Sequence, residues 1–387
     1  MNSGYPIVVY NTMKGLLRLG VDITLFSLNP SKHRVDTDDI YDPVFETIRF
    51  HATMVDTEVN VWDAFFNIFS NQSYNVSRYY DEDAARLLEE VLKETDFDII
   101  QFEGLFVVPY LDIVKSNSKA KVIYRAHNIE SDVWERLAQK EKFTPRRRYL
   151  QFLSRRLKTY ETEQINRFHY IFAISEQDRQ SILRFGGDAS IEVLPVALDF
   201  EKYKTDNAKT SFPTLFHLGA MDWRPNKEGL EWFLDEIWPD IETLSSELRF
   251  YIAGKSMQKQ FFEYDSDNLV VEGEVFDAVE FINSKAIMIV PLLSGSGMRV
   301  KIIEGMAMRK CIIATSMAAE GIGCVHGRDI LIADTADEFY RSILQCITNP
   351  NKWRDIGENA RKTAERDHDI SVISKRMFDI YQKVTIA

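Results

Sequence analysis

Apolar residues recur along the chain in two rhythms. Runs of about four to seven apolar residues suit buried parallel strands, and longer stretches with apolar positions three and four apart suit amphipathic helices. Ser3-Gly4-Tyr5-Pro6 reads as a loop, Ile7–Leu19 as a helix closed by Gly20, and Asp22–Leu28 as a strand. Residues 31–43 are polar and acidic and read as a loop. Val44–His51 reads as a strand and the aromatic stretch Trp62–Phe69 as a helix fragment. Residues 78–94 have helical spacing through Ala84, Leu87, Leu88, Val91 and Leu92. Strands at 97–102 and 121–125 run out at Glu103-Gly104 and Ala126-His127-Asn128. A long basic helix covers 145–167, followed by a strand at 170–174, a helix at 176–185 capped by Ser175, and a strand at 191–194.

Residues 195–212 are mostly polar and read as a linker. The strand and helix rhythm then restarts, with strands at 214–218, 248–253, 268–271 and 330–333. A helix lies near 228–238, and three helices close the chain near 336–347, 352–364 and 370–383. Two α/β halves of similar size predict two doubly wound, Rossmann-like domains facing a cleft. The expected boundaries are 1–195 for the N-terminal domain, joined by a final helix at 366–387, and 212–365 for the C-terminal one.

Between these elements lies AIMIVPLLSGSGMRVKIIEGMAMRKCIIATSMAAEG, residues 286–321. An apolar run to Leu292 predicts a buried strand, and Ser294-Gly295-Ser296-Gly297 breaks it. From Met298 the spacing turns helical, and Cys311–Ala314 starts another strand. Strand, small-residue loop, helix and strand make a βαβ unit. The start of such a helix offers unpaired backbone N–H groups and a partial positive charge. Gly295 and Gly297 allow close approach to that backbone. Arg299 and Lys301 add cations in the first turn, where the helix dipole disfavours them unless an anion is near. Glu304 follows three residues after Lys301, on a neighbouring part of the surface. A phosphate joined to a hydroxyl-bearing group, such as a nucleotide's ribose, would use these groups together. A plain strand-to-helix turn with solvated charges has the same short glycine pattern.

The thirty-odd residues PLLSGSGMRVKIIEGMAMRKCIIATSMAAEGI resemble the donor-binding segment of nucleotide-sugar glycosyltransferases of the GT-B fold, family 4, also called group 1. A bacterial, polysaccharide-type subgroup is the nearest in pattern. The resemblance implies that a hexosyl unit moves from a nucleotide diphosphate sugar to an acceptor hydroxyl, with retained configuration and no metal. Lys301 and Arg299 would meet the diphosphate and Glu304 the ribose. Many members carry an earlier glutamate, eight positions before the second, near the donor sugar. Ser296 stands there, so sugar recognition does not carry over to that position. RAHNIE resembles the surroundings of a family histidine near the donor sugar, which makes His127 a candidate. QFEG resembles a subgroup segment, which makes Glu103 a candidate for an acceptor hydroxyl. The family's arginine and lysine pattern after the first strand of the second domain is not reproduced in LGAMDWRPNK, and Arg224 or Lys227 is the candidate replacement. Gly273-Glu274-Val275 resembles the segment lining the base pocket, which brings in Val275. Gly4 corresponds to a glycine-bearing loop after the family's first strand. Only two residues precede Ser3, so that first, central strand is expected to be missing.

Composition narrows the partners. A formal net charge of −12 argues against nucleic acid as the main partner. Three cysteines without CxxC spacing give no disulfide or metal framework and suit a reducing compartment, with the cytoplasm as the expected location. Five Asp-x-Asp pairs occur, at 36/38, 81/83, 96/98, 265/267 and 367/369. None follows a strong apolar strand, so no metal site is assigned and no cofactor beyond the nucleotide-sugar co-substrate is expected. Residues 143–168 interleave Arg146, Arg147, Arg148, Arg155, Arg156, Lys158 and Arg167 with Tyr149, Leu150, Phe152 and Leu153. That pattern fits either a solvated helix or contact with anionic lipid on the inner face of a membrane, where a lipid-linked or carbohydrate acceptor would be met. A non-catalytic nucleotide-sugar-binding relative and a nucleotide-sugar 2-epimerase are the alternative readings of the same motifs.

Overall fold

The computed structural model describes residues 4–31, 34–36, 40–58, 73–206, 209–264, 266–295 and 297–386. It divides into two compact units, Met1–Pro195 with Ser374–Ala387, and Val196–Ile373.

In the first unit, helix α1 (Gly4–Arg18) begins earlier than the glycine and proline suggest. Gly4 lies in its first turn rather than in a loop. Pro6 is tolerated there because the first N–H groups of a helix have no intrahelical partner. Strand β1 (Thr24–Pro30) pairs in parallel with β2 (Arg49–Val55). The single strand expected at 44–51 is divided. Asp42 accepts from the Val44 N–H at 2.9 Å and caps a helical turn, Pro43–Glu46, so strand pairing starts only at Arg49. An N-cap followed by proline is a helix-start signal that outweighs the apolar run behind it. The Trp62–Phe69 stretch lies outside the described residues. Helix α2 (Glu82–Glu94) starts at Asp81, which accepts from the N–H groups of Asp83 and Ala84; this Asp-x-Asp pair is a helix cap.

A second sheet of this unit is four-stranded and parallel, in the order β3 (Ile99–Glu103), β4 (Lys121–Ala126), β5 (Tyr170–Ala173), β6 (Ser190–Val193). Its connections run through α3 (Leu111–Asn117), α4 (Glu130–Lys140), α5 (Thr144–Ile165) and α6 (Glu176–Arg184). α4 was not legible in the sequence, since it buries only part of one face. Ser175 caps α6 as its position predicts, accepting from the Asp178 N–H at 3.1 Å.

The second unit carries one six-stranded parallel sheet. Its strands are β7 (Thr214–Leu218), β8 (Arg249–Ala253), β9 (Leu269–Gly273), β10 (Ile287–Val290), β11 (Cys311–Ala314) and β12 (Leu331–Ile332). Their spatial order is β12-β11-β10-β7-β8-β9. Helix α7 (Arg224–Glu236) follows β7, and α8 (Val300–Ala307) joins β10 to β11. β10 and β11 are buried on both faces, which explains their unbroken apolar runs. α8 buries Ile302, Ile303, Met306 and Ala307. Each large side chain buried this way contributes about 1.5–3 kcal/mol. Three longer helices follow the sheet, α9 (Ala336–Thr348), with a Thr335/Glu338 capping box, α10 (Pro350–His368), and α11 (Ile370–Ile386), which starts in this unit and continues into the first.

Candidate active site

Strand order reverses at β7. From it the chain builds β8 and β9 to one side, and β10, β11 and β12 to the other. In an open parallel sheet a ligand crevice forms at such a switch point, beyond the carboxyl ends of the strands. Ladder pairing between β10 and β7 covers only Ile287 with Leu215 and Met288 with Phe216. Beyond it, the buried His217 ring bridges the pair, its Nδ1 donating to the Ile289 carbonyl at 2.9 Å. Burial, with Lys301 adding to it, pushes this imidazole down to about 3, so it is neutral near pH 7.

The small-residue loop sits at this switch point. Gly295 has φ +121° and Gly297 φ +77°, left-handed values that favour glycine. A Cβ on Gly295 would meet the Trp223 ring at 3.2 Å, so the β7–α7 turn lies against the loop. Ser294 donates to Glu228 of α7 at 3.1 Å. Arg299 turns inward, only 4% exposed, and its guanidinium donates to the carbonyls of Gly297 and, at 3.0 Å, Met317. It therefore braces the loop backbone. Ser296 lies outside the described residues.

Lys301 reaches across to β7. Its Nζ donates to Asn226 Oδ1 at 2.7 Å and to the Leu218 carbonyl at 3.3 Å. Asn226, buried in the first turn of α7, donates in turn to the Ala220 carbonyl at 2.9 Å. A Cβ on Gly219 would lie 2.7 Å from Asn226 Nδ2 and 3.0 Å from Lys301 Nζ, so a side chain there would displace the ends of both. Burial, reinforced by the Arg299 guanidinium, pushes the Lys301 ammonium down to about 7 against the opposing pull of Glu304. Burial likewise holds Glu304 above the usual carboxylate range, although a hydrogen bond from Tyr203 and the Lys301 charge pull it down. The Tyr203 hydroxyl donates to Glu304 Oε1 at 2.7 Å and so occupies one of its two oxygens.

The other sequence candidates of this unit are placed differently. Arg224 is exposed and paired with Glu228, Nε to Oε1 2.5 Å. Lys227 donates to Gln258 Oε1 at 2.8 Å. Arg224 is linked to the loop through Glu228, which accepts from Ser294, and Asn226 between the two cations is the residue that meets Lys301. Val275 is half-buried just beyond β9, after Gly273, whose carbonyl accepts from the Gly254 N–H at 2.7 Å.

In the first unit, Glu103 and His127 stand at the carboxyl ends of the paired strands β3 and β4. His127 Nε2 donates to Glu103 Oε2 at 2.5 Å. Gln101 Nε2 donates to Oε1 at 2.5 Å, and its amide is fixed by the Tyr381 hydroxyl, which donates to Gln101 Oε1 at 2.6 Å. Arg125, fully buried, has Nη1 3.9 Å from Glu103 Oε1 and donates to Thr12 Oγ1 at 2.6 Å. Burial pulls the Glu103 carboxyl up, but Arg125 and His127 outweigh it and hold it below the usual range. Gly4 opens α1 of the same unit. Asn226, Tyr203, Gln101, Arg125 and Tyr381 were missed by sequence reasoning. Asn226, Gln101 and Arg125 lie inside the quoted segments LGAMDWRPNK, QFEG and RAHNIE, whereas Tyr203 and Tyr381 left no trace.

Two parallel-sheet, Rossmann-like units, one with a glycine loop at its switch point, are the architecture of GT-B glycosyltransferases. Residues 3–202 match the model of the family described as Glycosyltransferase Family 4, and residues 212–349 the one described as Glycosyl transferases group 1. The chain belongs to glycosyltransferase family 4 and is a nucleotide-sugar glycosyltransferase. Its sequence is 24% identical over 305 residues to an uncharacterized 44.6 kDa protein in the cps region of Klebsiella pneumoniae, covering 75% of each chain. Its fold is similar to sucrose-phosphate synthase from Thermosynechococcus elongatus, with TM-score 0.74, 13% identity, and 99% of this chain and 94% of that one covered. It is also similar to Anabaena HepE in complex with UDP and glucose, with TM-score 0.65, 13% identity, and 98% and 96% covered. Among the described residues no helix is long and apolar enough to cross a membrane.

Proposed function

We propose that the protein transfers a hexosyl unit from a nucleotide diphosphate sugar to an acceptor hydroxyl in cell-surface polysaccharide or glycolipid synthesis. The observation that carries this reading is Lys301, drawn across the β7/β10 switch point to Asn226 and the Leu218 carbonyl beside a glycine loop and a helix start. The diphosphate binds there, to loop N–H groups and Lys301, with Arg299 holding the loop's shape. Glu304 takes the ribose through the oxygen that Tyr203 leaves open. The cps-region relative and the UDP-bound neighbour support the polysaccharide setting and the donor class.

In the reaction the bond from the anomeric carbon to the leaving phosphate oxygen breaks and the bond to the acceptor oxygen forms on the same face. The acceptor proton passes to the departing phosphate. Negative charge grows on that phosphate, and Lys301 stabilises it more in the transition state than in the bound donor. Lys301 and the loop N–H groups supply the positive field that the leaving diphosphate needs. His127 and Glu103, joined at 2.5 Å, are the candidates of the first unit for a hydroxyl of the sugar, with Glu103, whose oxygens are engaged by His127 and Gln101, orienting the histidine.

A thermal-shift screen of UDP-, GDP- and ADP-sugars identifies the donor, since a ligand specific to the folded state stabilises by mass action. Calorimetry on folded Glu304→Gln then tests the site. A hydrogen bond to a charged group contributes roughly 1.5–3 kcal/mol, so affinity should fall about ten- to a hundredfold. Unchanged affinity removes Glu304 from the donor site.

A further inference from the structure

The helical hairpin α4–α5 projects a cationic tip from an acidic protein. Between residues 139 and 158 lie Lys140, Lys142, Arg146, Arg147, Arg148, Arg155, Arg156 and Lys158, against the single acid Glu141, while the whole chain carries −12. Arg146, Arg147 and Arg148 occupy the first turn of α5, which has no acidic residue, and there the helix dipole works against them. Glu141 pairs with Arg146 at 3.1 Å.

The apolar side chains of this segment sort into two sets. Leu153 and Leu157 are buried and Leu150 and Phe152 half-buried, so they face their own unit. The interleaved apolar set Leu150, Phe152 and Leu153 expected from the sequence is therefore not a lipid-facing one. At the tip, Phe143 is 64% exposed, Leu137 51% and Tyr149 42%. Phe143 lies in the turn between the helices with Lys142, Leu137 near the end of α4, and Tyr149 next to Arg147 and Arg148 in the first turns of α5, and all six are exposed. The hairpin is anchored at its other end. Glu161 of α5 accepts from the Glu130 and Ser131 N–H groups at the start of α4, at 2.7 and 3.1 Å, and Ser154 Oγ donates to the Ser131 carbonyl at 3.0 Å.

We infer that this tip is a docking surface for an anionic lipid bilayer. Exposed arginines and lysines satisfy anionic headgroups, and Phe143, Leu137 and Tyr149 enter the interfacial zone between them. Long cationic side chains suit that zone because their stems lie along apolar material while the charge stays in the polar layer. A soluble polyanion would use the cations but give no reason for an exposed phenylalanine and leucine beside them in the chain. The inference stands apart from the donor-site reading, since no residue of that site takes part.

The test is flotation of the full chain with phosphatidylcholine vesicles, with and without roughly 30 mol% phosphatidylglycerol. Binding should require the anionic lipid and fall at high salt. Each basic residue near such a surface is worth about fivefold, so Arg147→Gln with Arg148→Gln should weaken partitioning by about twenty- to thirtyfold. Phe143→Ala should weaken it by about tenfold. Circular dichroism and nucleotide-sugar binding should match those of the unaltered protein. Three results would overturn the inference: no dependence on anionic lipid, full binding by the double variant, or capture by heparin without capture by vesicles.

Discussion

Donor binding should draw a proton onto Lys301. In the free protein this ammonium is pushed down to about 7 by burial and Arg299. At about pH 8 roughly 0.9 of the lysine is then neutral, and at about pH 6 only ~0.1. A diphosphate placed against Nζ supplies the missing counter-charge and raises the lysine's pKa, while the diphosphate diester has no proton that titrates near neutrality. Binding should therefore take up ~0.9 proton at about pH 8 and ~0.1 at about pH 6, and affinity should be about tenfold weaker at the higher pH. The groups facing Lys301 do not reproduce this. His217 is held neutral near 3, Asn226 and the Leu218 carbonyl do not titrate, and Arg299 stays charged. Glu304 is raised, so a ligand that favours its ionised form releases a proton, the opposite sign. Calorimetry in two buffers of different ionisation enthalpy measures the uptake, and Lys301→Met should abolish it. Equal uptake at both pH values, or uptake retained by Lys301→Met, would refute the placement of the phosphates. Stability of the free protein should move the other way. The unfolded chain keeps the lysine proton to about 10.4, above the folded value, so this group's contribution to stability rises with pH from about 7 to that point.

Asn226→Ala removes the acceptor 2.7 Å from Lys301 Nζ and the donor to the Ala220 carbonyl. Turnover should fall about ten- to a hundredfold with a smaller change in donor KM, and a change in KM alone would count against a positioning role for Asn226. Gly229→Ala in α7 would put a Cβ 2.3 Å from the Pro291 carbonyl oxygen, where backbone rather than a flexible side chain must yield. It should destabilise by about 2–3 kcal/mol in a denaturant titration, and an unchanged midpoint would show that α7 is not packed so closely on the chain beyond β10.

Periodic elements and the glycine loop were legible because each is written in local sequence. The strands at 214–218 and 311–314 match their apolar runs to the residue. The α8 helix starts two residues after the spacing suggests, because Arg299 stands as its N-cap with a non-helical backbone, φ −85° and ψ 86°. What escaped was the company each side chain keeps. Glu304 was readable as a carboxylate beside a helix start, but its partner Tyr203 is 101 residues away. Arg125 looked like a residue in a buried strand, and only pairing of β3 with β4 brings it near Glu103. Arg224 was readable as a cation after the first strand of the second unit, but its pairing with Glu228 one helical turn on was not. Asn226 carries no formal charge, so a search for phosphate ligands passes over it.

The central claim is that the nucleotide sugar's diphosphate lies at the β7/β10 switch point. A crystal structure of the protein with its donor, identified by the thermal-shift screen, tests it most directly. The account predicts a phosphate oxygen within hydrogen-bonding distance of Lys301 Nζ, further phosphate oxygens on N–H groups of the loop ending at Gly297, and the ribose on Glu304. A diphosphate bound at any other strand end, with Lys301 still held by Asn226 and the Leu218 carbonyl alone, would contradict it.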